Sequence, residues 1–210
     1  MSRSSSSGKD LVLAMTGASG APYAVELLRV LCRSGRTVHL TVSPSGVQVL
    51  REELGITVAL DAFEPSVFGE LGPGKVVYHR HDDFSAAIAS GSFLTGGMVV
   101  SPCSMSTLAA IANGITTNLV TRAADVHLKE RRPLIVVPRE TPLSVIHLEN
   151  MLRITRAGGI VLPAMPGWYH RPRSLDDLVR FVVARICDQL GVENALIPRW
   201  GDDPETEGTS

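Results

Sequence analysis

The residues best suited to chemistry lie in short polar stretches that each follow an apolar run. Gly17-Ala18-Ser19-Gly20 comes first, between LVLAM and a helical pattern with Pro22 in its first turn. Backbone N–H groups and the helix dipole at such a turn favour an anion, and Ser19 adds a hydroxyl. The turn reads G-x-S-G. It is neither the hydrolase elbow G-x-S-x-G nor the dinucleotide G-x-G-x-x-G, and no Ser/His/Asp set accompanies it. The plainer alternative is a tight turn of small packing residues. Ser101-Pro102-Cys103-Ser104-Met105-Ser106-Thr107 repeats the arrangement, with donors at Ser104, Ser106 and Thr107 or, more plainly, an ordinary N-cap. Ser43 follows the second apolar run and offers a further contact. Two such turns suit a ligand with a phosphate at one end and a polar ring elsewhere, which fits a mononucleotide such as FMN better than NAD.

Charged residues follow the same pattern. Arg139-Glu140 comes straight after LIVVP, where the arginine can hold a phosphate or a flavin's polar edge and the glutamate can transfer a proton. A surface ion pair is the competing reading. In TRAADVHLKERR, Arg122 and Lys129 lie two helical turns apart on one face with Asp125 between them, which by spacing alone is a solvated, salt-bridged stripe. Cys103 near a helix start reads as a buried apolar residue rather than a nucleophile. His79-Arg80-His81 lacks a third ligand at sensible spacing, so it reads as a solvent-facing strand end and no metal is expected. Trp168-Tyr169-His170, on a Pro/Gly loop, and Trp200 near the end are unusual in an aromatic-poor chain; they wall a pocket, close the core or fill a subunit contact.

The elements that must position these residues are legible as alternating runs. Strands are expected at Leu11–Thr16, Thr37–Ser43, Met98–Ser101, Leu134–Val137 and Gly159–Leu162, with an extra one at Val76–His79. Helices are expected near Ala21–Ser34, Ser45–Leu54, Ser104–Asn113, Asn118–Glu130, Ser144–Arg156 and Ser174–Leu190. Short apolar strands without polar alternation suit a parallel sheet covered on both faces. The expected fold is one doubly wound, mainly parallel α/β domain, a Rossmann/flavodoxin-like three-layer sandwich. In such sheets ligands sit beyond the strands' carboxyl ends, which is where nearly all the residues above fall.

With 210 residues, 44% of them hydrophobic, the chain can bury one sizeable core. Its 20 basic and 21 acidic residues balance, which argues against nucleic acid or an anionic membrane as partner. Three scattered cysteines read as reduced thiols in a cytoplasmic-type compartment, and no apolar run reaches membrane-span length. Residues 1–9 are expected to be disordered, 10–194 to form the flavin-binding domain, and 195–210 to be a tail with Trp200 docked at a site or subunit contact.

Laid side by side, LAMTGASGAPYA, SPCSMSTLAAIANG, NLVTRAADVHLKERRPLIVVPRET, IHLENMLRITRAGG, LPAMPGWYHRP, FVVARI and LIPRW resemble the UbiX/Pad1 family of flavin prenyltransferases. The resemblance spans nearly the whole folded chain; the first ten residues and the segment between Glu53 and Ser90 lack a distinctive match. It implies that the dimethylallyl group of dimethylallyl phosphate is joined to N5 and C6 of reduced FMN without a metal, giving prenylated FMN for UbiD-type decarboxylases. It assigns FMN binding to Gly17, Ala18, Ser19, Ser43, Ser104, Met105, Ser106, Thr107 and Arg139. The prenyl phosphate falls to Tyr169, Arg185, Arg122 and Lys129. Glu140 and Ser19 match positions of proton transfer and phosphate handling, Glu53 a supporting position, Ser90-Gly91 a pocket lining, and Trp200 an aromatic near the site. Homo-oligomers, commonly dodecamers, are implied, with sites between subunits, so that the cationic helix faces a neighbour's ligand. Phe84 departs from the Trp of some relatives, which bears on pocket shape. The competing functions are an FMN-dependent decarboxylase of the cysteine-decarboxylase group and a non-enzymatic flavin-binding regulatory protein.

Overall fold

The structure is a computed structural model and describes residues 8–199. The expected disorder of residues 1–9 and the placement of Trp200 therefore lie largely outside the described residues. Six strands form one all-parallel sheet: β1 (Leu11–Met15), β2 (Thr37–Val42), β3 (Lys75–Tyr78), β4 (Gly97–Cys103), β5 (Leu134–Pro138) and β6 (Ile160–Val161). They lie in the order β3-β2-β1-β4-β5-β6. The helices are α1 (Ala21–Arg33), α2 (Pro44–Leu54), α3 (Met105–Ala112), α4 (Leu119–Lys129), α5 (Val145–Arg156) and α6 (Leu175–Leu190).

The sheet is buried on both faces because its strands are apolar on both. Leu11, Leu13 and Met15 pack into one core with α1 and α6, whereas Val12 and Ala14 join the second core with α3 and α4. Each core residue loses water-exposed apolar surface at about 25 cal/mol per Å², which is the main force closing the three layers. Helix starts are set by side chains: Ser43, Ser104, Asn118, Ser144 and Ser174 all cap their helices through hydrogen bonds to backbone N–H groups.

Three sequence expectations are corrected at the strand ends. β4 runs on to Cys103, because its register against β5 shifts between Val100 and Cys103 and the strand continues past the irregularity. β6 is only two residues long. β3 ends at Tyr78, so His79 is not a solvent-facing strand residue. It is half-buried, stacked on His39 at 5.1 Å between ring centroids, with His39 Nδ1 and His79 Nε2 2.8 Å apart. From β1 the chain winds outward to β3, then returns beside β1 as β4 and proceeds to β6. The carboxyl ends of β1 and β4 consequently flank the crevice where the winding direction reverses, the place such sheets use for ligands.

Candidate active site

The first group of candidate residues sits on this crest. The α1 end of the Gly17–Gly20 turn already holds an anion, and it belongs to the chain itself. The Glu53 carboxylate, from the last turn of α2, accepts from Gly20 N (3.0 and 3.2 Å) and Ala21 N (2.8 Å). The expectation that these N–H groups cradle a phosphate is thus revised: the helix dipole is satisfied by Glu53, and what the turn leaves to a ligand is the Gly17–Ser19 segment. Glu53 lies close enough to Tyr23 to raise its phenol further above the usual value, on top of the larger effect of burial. A Cβ on Gly17 would come within 2.5 Å of Ser45, so only glycine allows the β1 turn and the start of α2 to approach this closely.

The hydroxyls of the other crest turns serve two purposes. Ser43 Oγ accepts from Gly46 N at 3.0 Å and lies 3.2 Å from Ser45 Oγ. Ser104 Oγ accepts from Thr107 N at 3.3 Å, contacts Thr107 Oγ1 at 3.0 Å and lies 3.1 Å from Ser106 Oγ. The N-cap reading of the Ser104 turn is therefore correct, Ser43 caps α2 in the same way, and the caps gather hydroxyls at helix starts where an anion would be favoured. Arg139 and Glu140 follow β5 directly and are both exposed; Glu140 Oε1 accepts from Thr141 N at 3.0 Å. Hydroxyl donors and a guanidinium compose a set that fits FMN's phosphate and polar ring edge. Cys103, beneath this crest, is fully buried, and desolvation pushes its thiol far up, so it is inert as a nucleophile.

The second group lies on α4 and the segment packed upon it. Arg122 donates from Nε to Ala89 O (3.1 Å) and from Nη1 to Asp125 (2.8 Å). Lys129 pairs with Glu130 instead of Asp125, so the expected single stripe is two separate pairs. Arg132 clamps the same segment through Phe93 O (2.7 Å) and Gly91 O (2.5 Å). A Cβ on Gly91 would meet the Glu130 carboxylate first and Lys129 Nζ at 2.8 Å, which places the Ser90-Gly91 pair against the Lys129–Glu130 ion pair. Arg122 thus holds the Ala89 end of this segment and the Lys129–Glu130 pair lies at its Gly91 end.

The third group is at the β6 edge. Tyr169 stands edge-on to Phe181 at 5.6 Å, and His170 stacks on the same ring at 5.1 Å. Arg185 lines a cleft of about 360 Å³ with Leu162, Pro163, Met165 and Phe181. Its Nη1 donates to Asp188 (3.1 Å), whose other oxygen accepts from Arg199 (2.9 Å). Trp168 and Tyr169 are 70% and 60% exposed, so of the readings open for this loop, closure over the core is excluded for these two rings.

Sequence reasoning missed Thr16, Ser45, Glu130 and Asp188. Asp188 was accessible as the i+3 partner of Arg185. Thr16 carried a signal too, a hydroxyl closing an otherwise apolar strand. Among the described residues no cluster of three or more His, Cys, Asp or Glu side chains is arranged to hold a metal ion, and no helix is long and apolar enough to cross a membrane.

The Flavoprotein family matches residues 1–187 of this chain. The flavin prenyltransferase UbiX of Halalkalibacterium halodurans is 49% identical, over 90% of this chain and 92% of its own. The crystal structure of AnUbiX (PadA1) in complex with FMN and dimethylallyl pyrophosphate superposes with a TM-score of 0.82 at 40% identity, covering 92% of this chain and 98% of that one. A dodecameric FMN-dependent UbiX-like decarboxylase from Escherichia coli O157:H7 superposes with a TM-score of 0.80 at 44% identity, covering 91% and 98%.

Proposed function

This chain belongs to the UbiX family of flavin prenyltransferases, and from that premise we propose that it joins a dimethylallyl group to N5 and C6 of reduced FMN. The observation that carries the reading is the similarity, over nine-tenths of the chain, to a structure that holds both FMN and a dimethylallyl donor. In the proposed arrangement, residues 10–194 form the flavin-binding domain and residues 195–210 a tail whose Trp200 serves a site or a subunit contact. Gly17, Ala18, Ser19, Ser43, Ser104–Thr107 and Arg139 hold FMN along the crest. Bound in reduced form, the flavin supplies the nucleophilic atoms. Arg122, Lys129, Arg185 and Tyr169 hold the donor's phosphate and offset the negative charge that builds up as the allylic C–O bond breaks, with no metal ion required. Ser90 and Gly91 line the apolar end. Glu140 takes the proton released when the second bond closes the new ring and passes it to the departing phosphate, to which Ser19 donates a hydrogen bond. Glu53 keeps the turn carrying Ser19 in place by holding the N–H groups of Gly20 and Ala21.

The product serves UbiD-type decarboxylases, and the protein acts in the cytoplasm, as its three free cysteines favour. The exposed arginines and aromatics of the β6 edge and the α4 cations come together across copies in a dodecamer like that of the E. coli relative. That relative is described as a decarboxylase, which keeps a second reading in view.

One assay separates them. Purified protein is incubated anaerobically with reduced FMN and either dimethylallyl phosphate or dimethylallyl pyrophosphate, with a chelator present. Mass spectrometry should show a flavin heavier by one prenyl unit, with the faster donor fixing the phosphate preference. Carbon dioxide released from a cysteine-type substrate or an aromatic acid without any adduct favours the decarboxylase. FMN binding with neither product favours a regulatory flavoprotein.

A further inference from the structure

We infer that Thr16 is a positioning residue that locks the two flavin-holding turns in register across the switch-point crevice. The inference rests on the flavin reading above and deepens it. β1 and β4 pair regularly from Leu11↔Gly97 to Ala14↔Val100, and the pairing then stops, although β4 continues to Cys103. Beyond the last rung, the connection passes through Thr16. Its backbone N–H donates to Pro102 O at 3.2 Å, and its hydroxyl donates to the same carbonyl at 2.8 Å. The hydroxyl also accepts from Ser104 N at 2.8 Å. Its donor and one acceptor position are thus both used, on partners more than 80 positions away in sequence, and the residue is 2% exposed.

These bonds lie at the root of both turns. Thr16 precedes Gly17, and Ala18 N donates back to Thr16 O at 3.0 Å, so the first turn is folded onto the same residue. On the other side, Ser104 is the N-cap of α3, and its hydroxyl organises Ser106 and Thr107. Shifting Thr16 therefore shifts both sets of candidate FMN donors relative to one another. A rigid ring system with a phosphate at one end needs such donors fixed within about half an ångström, a precision loops alone do not supply. Threonine suits the task because its branched Cβ restricts χ1 and aims the hydroxyl.

Thr16→Val keeps the shape and removes both hydroxyl bonds; Thr16→Ser keeps the bonds. FMN affinity, read by flavin fluorescence, should fall about tenfold or more in T16V, the scale of one or two lost buried hydrogen bonds. It should recover to within about threefold in T16S. The KM for the prenyl donor at saturating FMN should stay unchanged in both, a split that general destabilisation would not produce. T16V that folds and binds FMN as tightly as the unaltered protein overturns the proposal. Where T16V does not fold, hydrogen exchange in the unaltered protein decides: a Ser104 amide protected like the β4 strand supports the lock, and one that exchanges like an exposed loop overturns it. Because exchange needs no flavin, its result stands apart from whether the unaltered protein binds FMN, which tests the flavin reading itself.

Discussion

At the level of single residues, the sequence exposes charge and spacing but not partnership. Arg122 and Asp125 are paired as their i, i+3 spacing indicates, yet Lys129 turns to Glu130, and the pair lies against Gly91. Glu53 could not be connected to Gly20 from sequence, because the contact spans 33 positions and depends on how α2 docks beside α1. Glu140 illustrates what such knowledge adds. Its Oε1 accepts from Thr141 N, a bond that a carboxamide oxygen can also make, so Glu140→Gln preserves the loop while removing the group proposed to transfer the proton. Turnover should drop about a hundredfold, the low end of what general acid–base catalysis contributes. FMN binding should be essentially unaltered. Titration of flavin fluorescence alongside single-turnover product analysis checks both halves, and unchanged turnover would remove Glu140 from the proton step.

Elements were the most legible part of the chain. All six helices and six strands lie within a few residues of expectation, since short apolar runs and hydroxyl caps are local signals. What escaped was the β4 irregularity and the fate of polar residues within elements, where tertiary packing decides. His127 on α4 is such a case. It is 1% exposed, and its Nδ1 lies 2.7 Å from Ala123 O, an acceptor only, so Nδ1 carries the proton and Nε2 accepts from Thr95 Oγ1 at 2.8 Å. Burial, helped by the nearby Arg132, lowers its pKa from 6.5 to about 4 against the opposing pull of the Ala123 carbonyl. In the unfolded chain the imidazole takes up a proton near 6.5, while the folded chain resists until about 4. Stability from this neutral histidine is therefore complete above pH 6.5 and declines as pH falls towards 4, by on the order of 3 kcal/mol in all. Half-buried His79, whose pKa is lowered mainly by burial and also by His39, pushes the same way. Urea unfolding between pH 7 and 4.5 should show the decline, and His127→Gln should flatten most of it. An equal slope in that variant would assign the effect to other groups.

The whole molecule has a face that a solitary chain does not account for. On α5, Ile154 and Asn150 point into the protein, while Val145, Leu148 and Leu152 form a stripe on the opposite side at i, i+3 and i+7. Val145 is 70% exposed and Leu148 52%. Met165, Trp168, Tyr169 and Leu175 add further exposed apolar surface near the β6 edge. An apolar stripe left exposed along a helix is a common mark of a protein–protein contact, and the E. coli relative is a dodecamer. This surface was invisible as such in the sequence, where an amphipathic helix gives no sign of whether its second apolar stripe meets the core or another chain. The candidate residues show the same dependence: crest donors, α4 cations and β6-edge residues form three groups in one chain, and assembly is what would join them. Leu148→Glu with Leu152→Glu places two charges on adjacent turns of the outer stripe without touching Ile154 or Asn150. Light scattering should then report a smaller species whose circular dichroism matches the parent. Prenyl transfer should fall by about two orders of magnitude or more, because displacing the cations proposed to hold the donor phosphate removes oriented charge stabilisation. A variant that still assembles fully, or one that dissociates yet turns over normally, would place both the interface and the completed site elsewhere.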